Sequence, residues 1–324
     1  MMKRRSFLQM LGGATAGILL VSRGNASDRL GRLLPQRKLG RTGEAVTMLG
    51  VGGWHIGRMN ERDAQETIET ALAGGVRFFD SCESYQDGGS ESRLGRLLTP
   101  KYRDIIFLMT KTDAKDAASV RKSLDATLRR MNTDHLDLWQ MHEMTTVGDV
   151  ENRLKNGVLD ALLEARAAGK IRHIGFTGHT DPDTHLHLLA EKGAVFETVQ
   201  MPVNLADPSY KSFIKNVMPR LVDLNIGVLA MKTLSNGGFF GGSQHGEHGS
   251  NPHLVPDRVS MGEAMHFVWS LPVSVLISGP DNPAHIQEKI DLARSFTGMT
   301  EEHRQALIAK VADLAGKRVE FYKA

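Results

Sequence analysis

One cysteine, Cys82, is present in 324 residues. An internal disulfide is therefore excluded, and whatever stability the protein has comes from its core. That is consistent with folding in a reducing compartment. Long apolar runs are missing too: the best candidate, Met10 to Val21, falls well short of the ~20 residues that a membrane-spanning helix requires. There is no charge block, no low-complexity tract and no heptad repeat. A basic excess is absent once the first 26 residues are set aside, because Lys3, Arg4, Arg5 and Arg23, unaccompanied by any acid, carry the formal +3 to −1 when removed. A nucleic-acid partner thus has no electrostatic support. What the chain does have is 41% hydrophobic content, enough at this length to bury a large core as one big domain or two smaller ones.

The N-terminus reads "KRRSFLQMLGG" from Lys3: paired arginines, then Phe7-Leu8, an apolar run to Val21, and Ala26 closing a small-residue "GNA". This is the three-part layout of a secretory signal, and Arg4-Arg5 points to its twin-arginine variety. Lys3 and Gln9 stand where that motif usually has Ser/Thr and Lys. The expectation is a signal peptide over residues 1–26, a linker over 27–35, and one domain over 36–324. The product is then periplasmic, delivered already folded by the twin-arginine machinery. A leader that stays uncleaved as a membrane anchor is the alternative.

From residue 46 onward short apolar runs alternate with longer amphipathic ones. The runs are "VTMLGVG" (46–52), "VRFFD" (76–80), "DIIFLMTK" (104–111), "HLDLWQMH" (135–142), "IRHIGFTGH" (171–179), "ETVQMPVN" (197–204), "IGVLAMKT" (226–233) and "VSVLISG" (273–279). Most are short, rich in Val, Ile and Phe, and continuous rather than alternating, as parallel strands covered on both sides should be. Between them, segments such as "ASVRKSLDATLRRMN" place apolar residues three and four apart at Val120, Leu124 and Leu128. Gly74, Asn132 and Gly169 close three such helices. Eight strand-helix units predict an α/β fold, a (β/α)8 TIM barrel. An open doubly wound sheet competes, but "LGVGGWHIG" lacks the GxGxxG spacing that usually follows its first strand. "QRKLGRTGEAV" predicts an N-terminal β-hairpin turning at Thr42-Gly43 and plugging the barrel's bottom, and residues 301–323 an added C-terminal helix.

In such a barrel, chemistry sits where strands end, because all eight C-termini open on one face. Asp80, Lys111 and His142 end strands two, three and four, and Tyr85 follows Asp80 by five residues. Reducing a carbonyl by hydride leaves charge on its oxygen, which needs a proton donor within hydrogen-bond reach. A phenol with pKa near 10 is a poor acid at neutrality, but an adjacent ammonium favours its phenolate. The roles that follow are Tyr85 as general acid, Lys111 and Asp80 as the pair that tunes it, and His142 as the group that orients the carbonyl.

These motifs resemble the aldo-keto reductase superfamily over nearly the whole chain after the leader. "RKLGRTGEAVTMLGVGGWHIG" is similar to its opening hairpin and first strand, "FFDSCESYQDGGSE" to its aspartate-tyrosine motif, "MTK" to its lysine and "DLWQMH" to its histidine. "IGFTGH", "VQMPVN" and "GVLAMKT" resemble the strands that hold the nicotinamide. The resemblance implies NADPH-dependent reduction of small aldehydes or ketones, with the cofactor extended across the barrel mouth near Gly53 and Lys232. Thr177 and Gln200 are then expected at the carboxamide, Met231 against the nicotinamide face, and Gly279 through His285 and Glu288 at the adenosine end. Trp54 is expected as a wall of the substrate pocket.

Departures from the family pattern qualify this. Met231 replaces the usual aromatic and Gly178 an asparagine that often binds the carboxamide. "SGPDNPAHIQEK" (278–289) offers no arginine to grip a 2′-phosphate and has Lys289 as its only strong cation, so NADH stays open beside NADPH. The loop 237–253 carries His245, His248, His253 and Glu247, whose spacing fixes no ligand geometry. It reads as a flap rather than a metal site, and no metal is expected. His185 and His187 read as surface residues, and Cys82, where alanine is common, as a small packing residue whose thiol is near enough to the mouth for oxidation. A rival to the reductase is an exported nicotinamide-binding, redox-sensing module with little turnover, as the similar potassium-channel beta subunits suggest for this fold.

Overall fold

The computed structural model describes residues 26–240, 253–254 and 257–323. The leader up to residue 25, and His245, Glu247 and His248 of the presumed flap, lie outside the described residues. Among the described residues no helix is long and apolar enough to cross a membrane.

Eight strands form a closed parallel barrel: Leu49–Gly52, Phe78–Asp80, Phe107–Thr112, Leu136–Met141, Ile171–Thr177, Thr198–Pro202, Gly227–Met231 and Val275–Ser278. Each pairs with the next, and the eighth returns to the first through Leu276 opposite Leu49. Seven of the eight apolar runs contain a whole barrel strand, and the run 104–111 holds all of its strand but the last residue, Thr112. The first is split, because Ala45–Thr47 belongs to a preceding hairpin and only Leu49–Gly52 enters the barrel.

The helices start where their caps are. Asn60, Asp116 and Asp181 each accept a backbone N–H at the start of Glu61–Ala73, Ala117–Arg130 and Pro182–Lys192. Ser260 and Glu263 form a reciprocal capping box on Met261–Trp269. Such caps contribute about 1 kcal/mol each. At the other ends Asn132 (φ 47°) and Gly169 (φ 72°) take the left-handed conformation. For Glu61–Ala73 that residue is Gly75 (φ 91°) rather than Gly74.

The core has two parts. One lies between strands and helices; the other fills the barrel with Leu39, Val46, Phe78, Phe107, Met109, Leu138, Leu229, Val275 and Ile277. Leu39 and Val46 come from the hairpin of Gln36–Lys38 and Ala45–Thr47, which closes the bottom as expected. Gly40 is required there, since its φ is 54° and a Cβ would lie 2.3 Å from the backbone N of Gly227. Arg37 fixes the plug by donating to the carbonyls of Val273 and Trp269, both at 2.7 Å. With the hairpin packed across that end, the pocket among the described residues lies at the strand C-termini.

Two expectations need correction. Residues 27–35 are no linker: Asp28 pairs with the guanidinium of Arg77 at 2.6 Å, Leu34 is buried, and Ser27–Asp28 pairs with Gly31–Arg32. The C-terminal segment is helical only over Glu301–Val311, followed by a short 3-10 turn. Past Gly316 (φ 129°), residues 319–323 run back to the barrel mouth because their polar groups have buried partners there. Lys323 Nζ binds Asp207 Oδ1 and Glu320 Oε1, each at 2.7 Å, and Asn204 Nδ2 donates to Tyr322 Oη at 2.8 Å.

Candidate active site

Tyr85, Asp80, Lys111 and His142 share one pocket of about 520 Å³ at the open end of the barrel. Its floor is the top of the barrel core at Ile277, and its walls carry Trp54, His55, Ser84, Glu143, His179 and Thr233.

Lys111 Nζ donates to Asp80 Oδ1 at 2.5 Å, to the Ser81 carbonyl at 2.7 Å and to Tyr85 Oη at 3.4 Å. The pair is almost wholly buried, with side-chain exposures of 2% for Lys111 and 4% for Asp80. Burial works against the ammonium, but the Asp80 carboxylate outweighs it and holds Lys111 above the ordinary lysine range. For Tyr85 the sequence expectation was a lowered pKa. Burial instead raises it, with Lys111 pulling the other way. The phenol is thus fully protonated at neutral pH, as a donor must be, while the cation stands ready for the phenolate left after proton transfer.

His142 lies edge-on to Tyr85, ring centroids 6.2 Å apart at 82°. Its Nδ1 is 2.7 Å from Asp113 Oδ1 and 3.2 Å from Cys82 Sγ. Burial would raise the Asp113 carboxyl, but the hydrogen bond from His142 prevails and brings it down to about 2. Burial pushes the Cys82 thiol up to about 12, which makes it a poor nucleophile rather than an exposed redox handle. The donor atoms of Cys82, Asp113 and His142 all lie within 4.8 Å of one another.

Thr177, Gln200, Met231, Lys232 and Gly279 line the same pocket. Two buried polar atoms on this wall, Gln200 Oε1 and Thr233 Oγ1, have no hydrogen-bond partner among the described residues. Leaving such groups unpaired costs roughly 1–3 kcal/mol each. A carboxamide at Gln200 and a phosphate oxygen at Thr233 would satisfy them, so the residues present fit a nicotinamide dinucleotide. Lys232 (φ 58°) is lowered to about 8 by burial.

Other expected residues lie off the pocket wall. Gly53 packs beneath it, where a Cβ would sit 2.3 Å from the Asp80 carbonyl. His285 and the exposed Glu288 are on Pro283–Arg294, with His285 facing Asp281 at 3.6 Å. Lys289 turns inward, donating to the Gly279 carbonyl at 2.9 Å, and burial lowers it to about 8. Trp54 lies on the pocket wall, with the Arg58 guanidinium 4.8 Å from its ring.

His185 corrects a further expectation. It is fully buried, packed between Phe176 and Phe213 at 5.2 and 5.0 Å, and burial lowers its pKa to about 3. His187 remains half-exposed beside Glu151. The buried ring also accounts for Gly178, where a Cβ would be 2.6 Å from His185 Cε1. An asparagine there would collide with the histidine.

Asp113, Glu143, His179 and Thr233 were not foreseen from sequence. Each lies one or two residues beyond a barrel strand, the same position that marked His142. Glu143 (φ 53°) donates its backbone N–H to Thr177 Oγ1 at 2.9 Å, and its carboxylate is 3.3 Å from His179 Nε2.

Residues 48–312 match the family model described as the aldo/keto reductase family. The chain belongs to that family. Among solved structures, the holo form of aldo-keto reductase AKR11C1 from Bacillus halodurans superposes with a TM-score of 0.72 at 19% identity, covering 86% of this chain and 96% of that one. An aldo-keto reductase from Klebsiella pneumoniae in complex with NADPH gives a TM-score of 0.65 at 21% identity, covering 83% and 92%. At these identities the likeness speaks for the fold. A 6-dehydroglucose reductase of Novosphingobium aromaticivorans is 29% identical over 188 residues, 52% of this chain and 60% of that protein. The chain spans about 60% of the length of the curated relatives it matches first.

Proposed function

We propose that this aldo/keto reductase reduces the carbonyl of a small, hydroxyl-rich substrate to an alcohol, with Tyr85 as proton donor. The observation that carries this is the buried chain of contacts from Asp80 through Lys111 to Tyr85, facing His142 across one pocket. A bound nicotinamide dinucleotide would supply the hydride. The protein's part is to hold the carbonyl oxygen between Tyr85 and His142 and to pass the phenolic proton to it, the Lys111 ammonium then stabilising the phenolate. Thr177, Gln200 and Met231 would hold the nicotinamide end and Thr233 and Lys232 the phosphates. Hydroxyl-rich substrates are favoured by the acceptors and donors on the wall, namely Ser84, Glu143 and His179 beside the face of Trp54. The relative named a 6-dehydroglucose reductase supports the same class.

NADPH is the donor that the Klebsiella relative carries. A second reading, NADH, is favoured by the inward turn of Lys289, which leaves the segment 279–289 without a lysine or arginine at its surface. Export by the twin-arginine route belongs to the proposal too, resting on Arg4-Arg5 and the apolar run that follows. Cofactor loaded before export would then travel with the folded protein.

The experiment is nucleotide oxidation followed by absorbance, with NADPH and NADH, against aldoses, keto-sugars and apolar aldehydes, alongside Tyr85→Phe. Turnover that drops at least about 100-fold in the variant, with nucleotide binding retained, supports the assignment. Binding without turnover in the wild type would instead point to the sensor.

A further inference from the structure

Behind the pocket, a thiol, an imidazole and a carboxylate from three different strand-end loops converge, and neither hydride transfer nor proton donation uses the thiol. Cys82 follows strand two, Asp113 strand three and His142 strand four. Sγ to Nδ1 is 3.2 Å, Nδ1 to Asp113 Oδ1 2.7 Å, and Sγ to Asp113 Oδ2 3.8 Å. Two ligands of one tetrahedral ion, each about 2.0–2.3 Å from it, stand roughly 3.3–3.8 Å apart. The two Asp113 distances fall on different carboxylate oxygens, but one donor atom from each residue lies within 4.8 Å of the others. A turn of the carboxylate that opens the His142–Asp113 hydrogen bond by about half an ångström thus brings the three toward the spacing that a first-row ion spans.

We propose that Cys82, Asp113 and His142 form a binding site for a thiolate-accepting divalent ion of the Zn²⁺ class, which displaces the Cys82 thiol proton to solvent past the Asp113 carboxylate as the metal–sulfur bond forms. The donor set is mixed, one soft sulfur, one imidazole nitrogen and one carboxylate oxygen, which suits Zn²⁺ and excludes Mg²⁺ or Ca²⁺. Three protein ligands leave a fourth position for water. Access is through Asp113, whose side chain is 38% exposed, while His142 is 15% exposed and Cys82 is covered. The surroundings hold the ligands in place: Glu83 Oε1 accepts the Asp113 backbone N–H at 2.6 Å, the Arg153 guanidinium anchors the His142 carbonyl at 2.8 Å, and Ser84 Oγ, 3.2 Å from Cys82 Sγ, must turn aside for an ion to enter. Because Nδ1 is drawn from Asp113 toward the ion, the imidazole shifts against Tyr85 and turnover falls. That last consequence rests on the reductase reading; the binding does not.

The test is titration of the full chain with Co²⁺, then displacement by Zn²⁺. One equivalent of Co²⁺ should produce a thiolate-to-metal charge-transfer band in the near ultraviolet, abolished in Cys82→Ala and requiring at least about tenfold more metal in Asp113→Asn. Cys82 is the only cysteine, so metal held by the histidines of residues 237–253 cannot give this band. An unchanged near-ultraviolet circular dichroism spectrum of Cys82→Ala before metal addition shows that the loss is not unfolding. No band in the wild type at millimolar Co²⁺, or an undiminished one in Asp113→Asn, overturns the site. In turnover assays one equivalent of Zn²⁺ should slow the wild type at least tenfold and leave Cys82→Ala unaffected. A bound ion without that slowing overturns the coupling to His142, and a protein that reduces nothing still gives the cobalt result.

Discussion

Replacing Lys111 by methionine removes an ammonium from a place where three groups depend on it. Asp80 loses its ion-pair partner at 2.5 Å, the Ser81 carbonyl loses a donor at 2.7 Å, and Tyr85 loses the cation at 3.4 Å. With both members of the pair at 4% exposure or less, Asp80 is left as a buried, unpaired carboxyl. Breaking a buried pair from one side costs about 3–5 kcal/mol, which for a domain of this size lowers the melting temperature by on the order of 10 °C. Adding Asp80→Asn makes the site neutral and should recover most of that loss, since removing both charges of a buried pair is often close to neutral. Activity should behave differently. Neither variant has a cation beside Tyr85, so both should fall at least about 100-fold in kcat, because stability can be repaired without repairing the proton donor. Calorimetry and single-turnover kinetics on Lys111→Met, Asp80→Asn and the double variant read the two effects separately. A double variant that regains turnover along with stability would refute the view that Lys111 acts on Tyr85. A single variant that melts within about 2 °C of the wild type would refute the buried pair itself.

Three further outcomes are expected. His185 has a folded-state pKa near 3 against 6.5 for the free side chain, so the unfolded chain takes up a proton that the folded chain refuses. Its stability contribution is complete above pH 6.5 and is lost as pH falls toward 3, at about 1.4 kcal/mol per unit in the steep part; His185→Leu should flatten the urea-unfolding profile over that window, and an unchanged slope counts against burial of a neutral ring. Lys289→Met should leave the NADPH to NADH ratio of kcat/KM within about threefold, as the ammonium is committed to the Gly279 carbonyl and not to a phosphate; a tenfold loss of NADPH preference would show that it reaches the cofactor. Arg4→Lys with Arg5→Lys should hold the protein in the cytoplasm by fractionation, and continued export would remove the twin-arginine assignment.

Much of this architecture was legible because parallel barrel strands, buried on both faces, leave continuous apolar runs that periodicity alone picks out. The three polar residues at strand ends, Asp80, Lys111 and His142, stood out against those runs for the same reason, and Tyr85 through its place in the loop after Asp80. Legibility stopped where contacts join distant parts of the chain. Nothing in "DTHLHLL" says that His185 faces Phe176 and Phe213 while His187 faces solvent, since either side of that helix carries leucines. Residues 315–323 read as helix because their spacing continues the helical pattern; the burial of Lys323 against Asp207, 116 positions away, outweighs it. Tyr85's raised pKa was missed because the ammonium is visible in sequence and the depth of burial is not. Asp113 and Glu143 were within reach, each next to or near a residue already singled out for its place at a strand end.

The return of residues 319–323 to the barrel mouth sets an order of events during synthesis. The Tyr322 carbonyl lies 3.3 Å from His179 Nδ1, and Asn204 Nδ2 joins the Tyr322 hydroxyl to the Lys232 carbonyl at 2.8 and 3.3 Å. His179 and Lys232 both line the pocket, so this part of its wall is braced by residues translated after every barrel strand. On the ribosome the barrel can close while that brace is still unmade. Completion of the pocket is then a late event that follows folding of the strands, and a nascent chain stalled before residue 319 should display a barrel whose pocket wall lacks this brace.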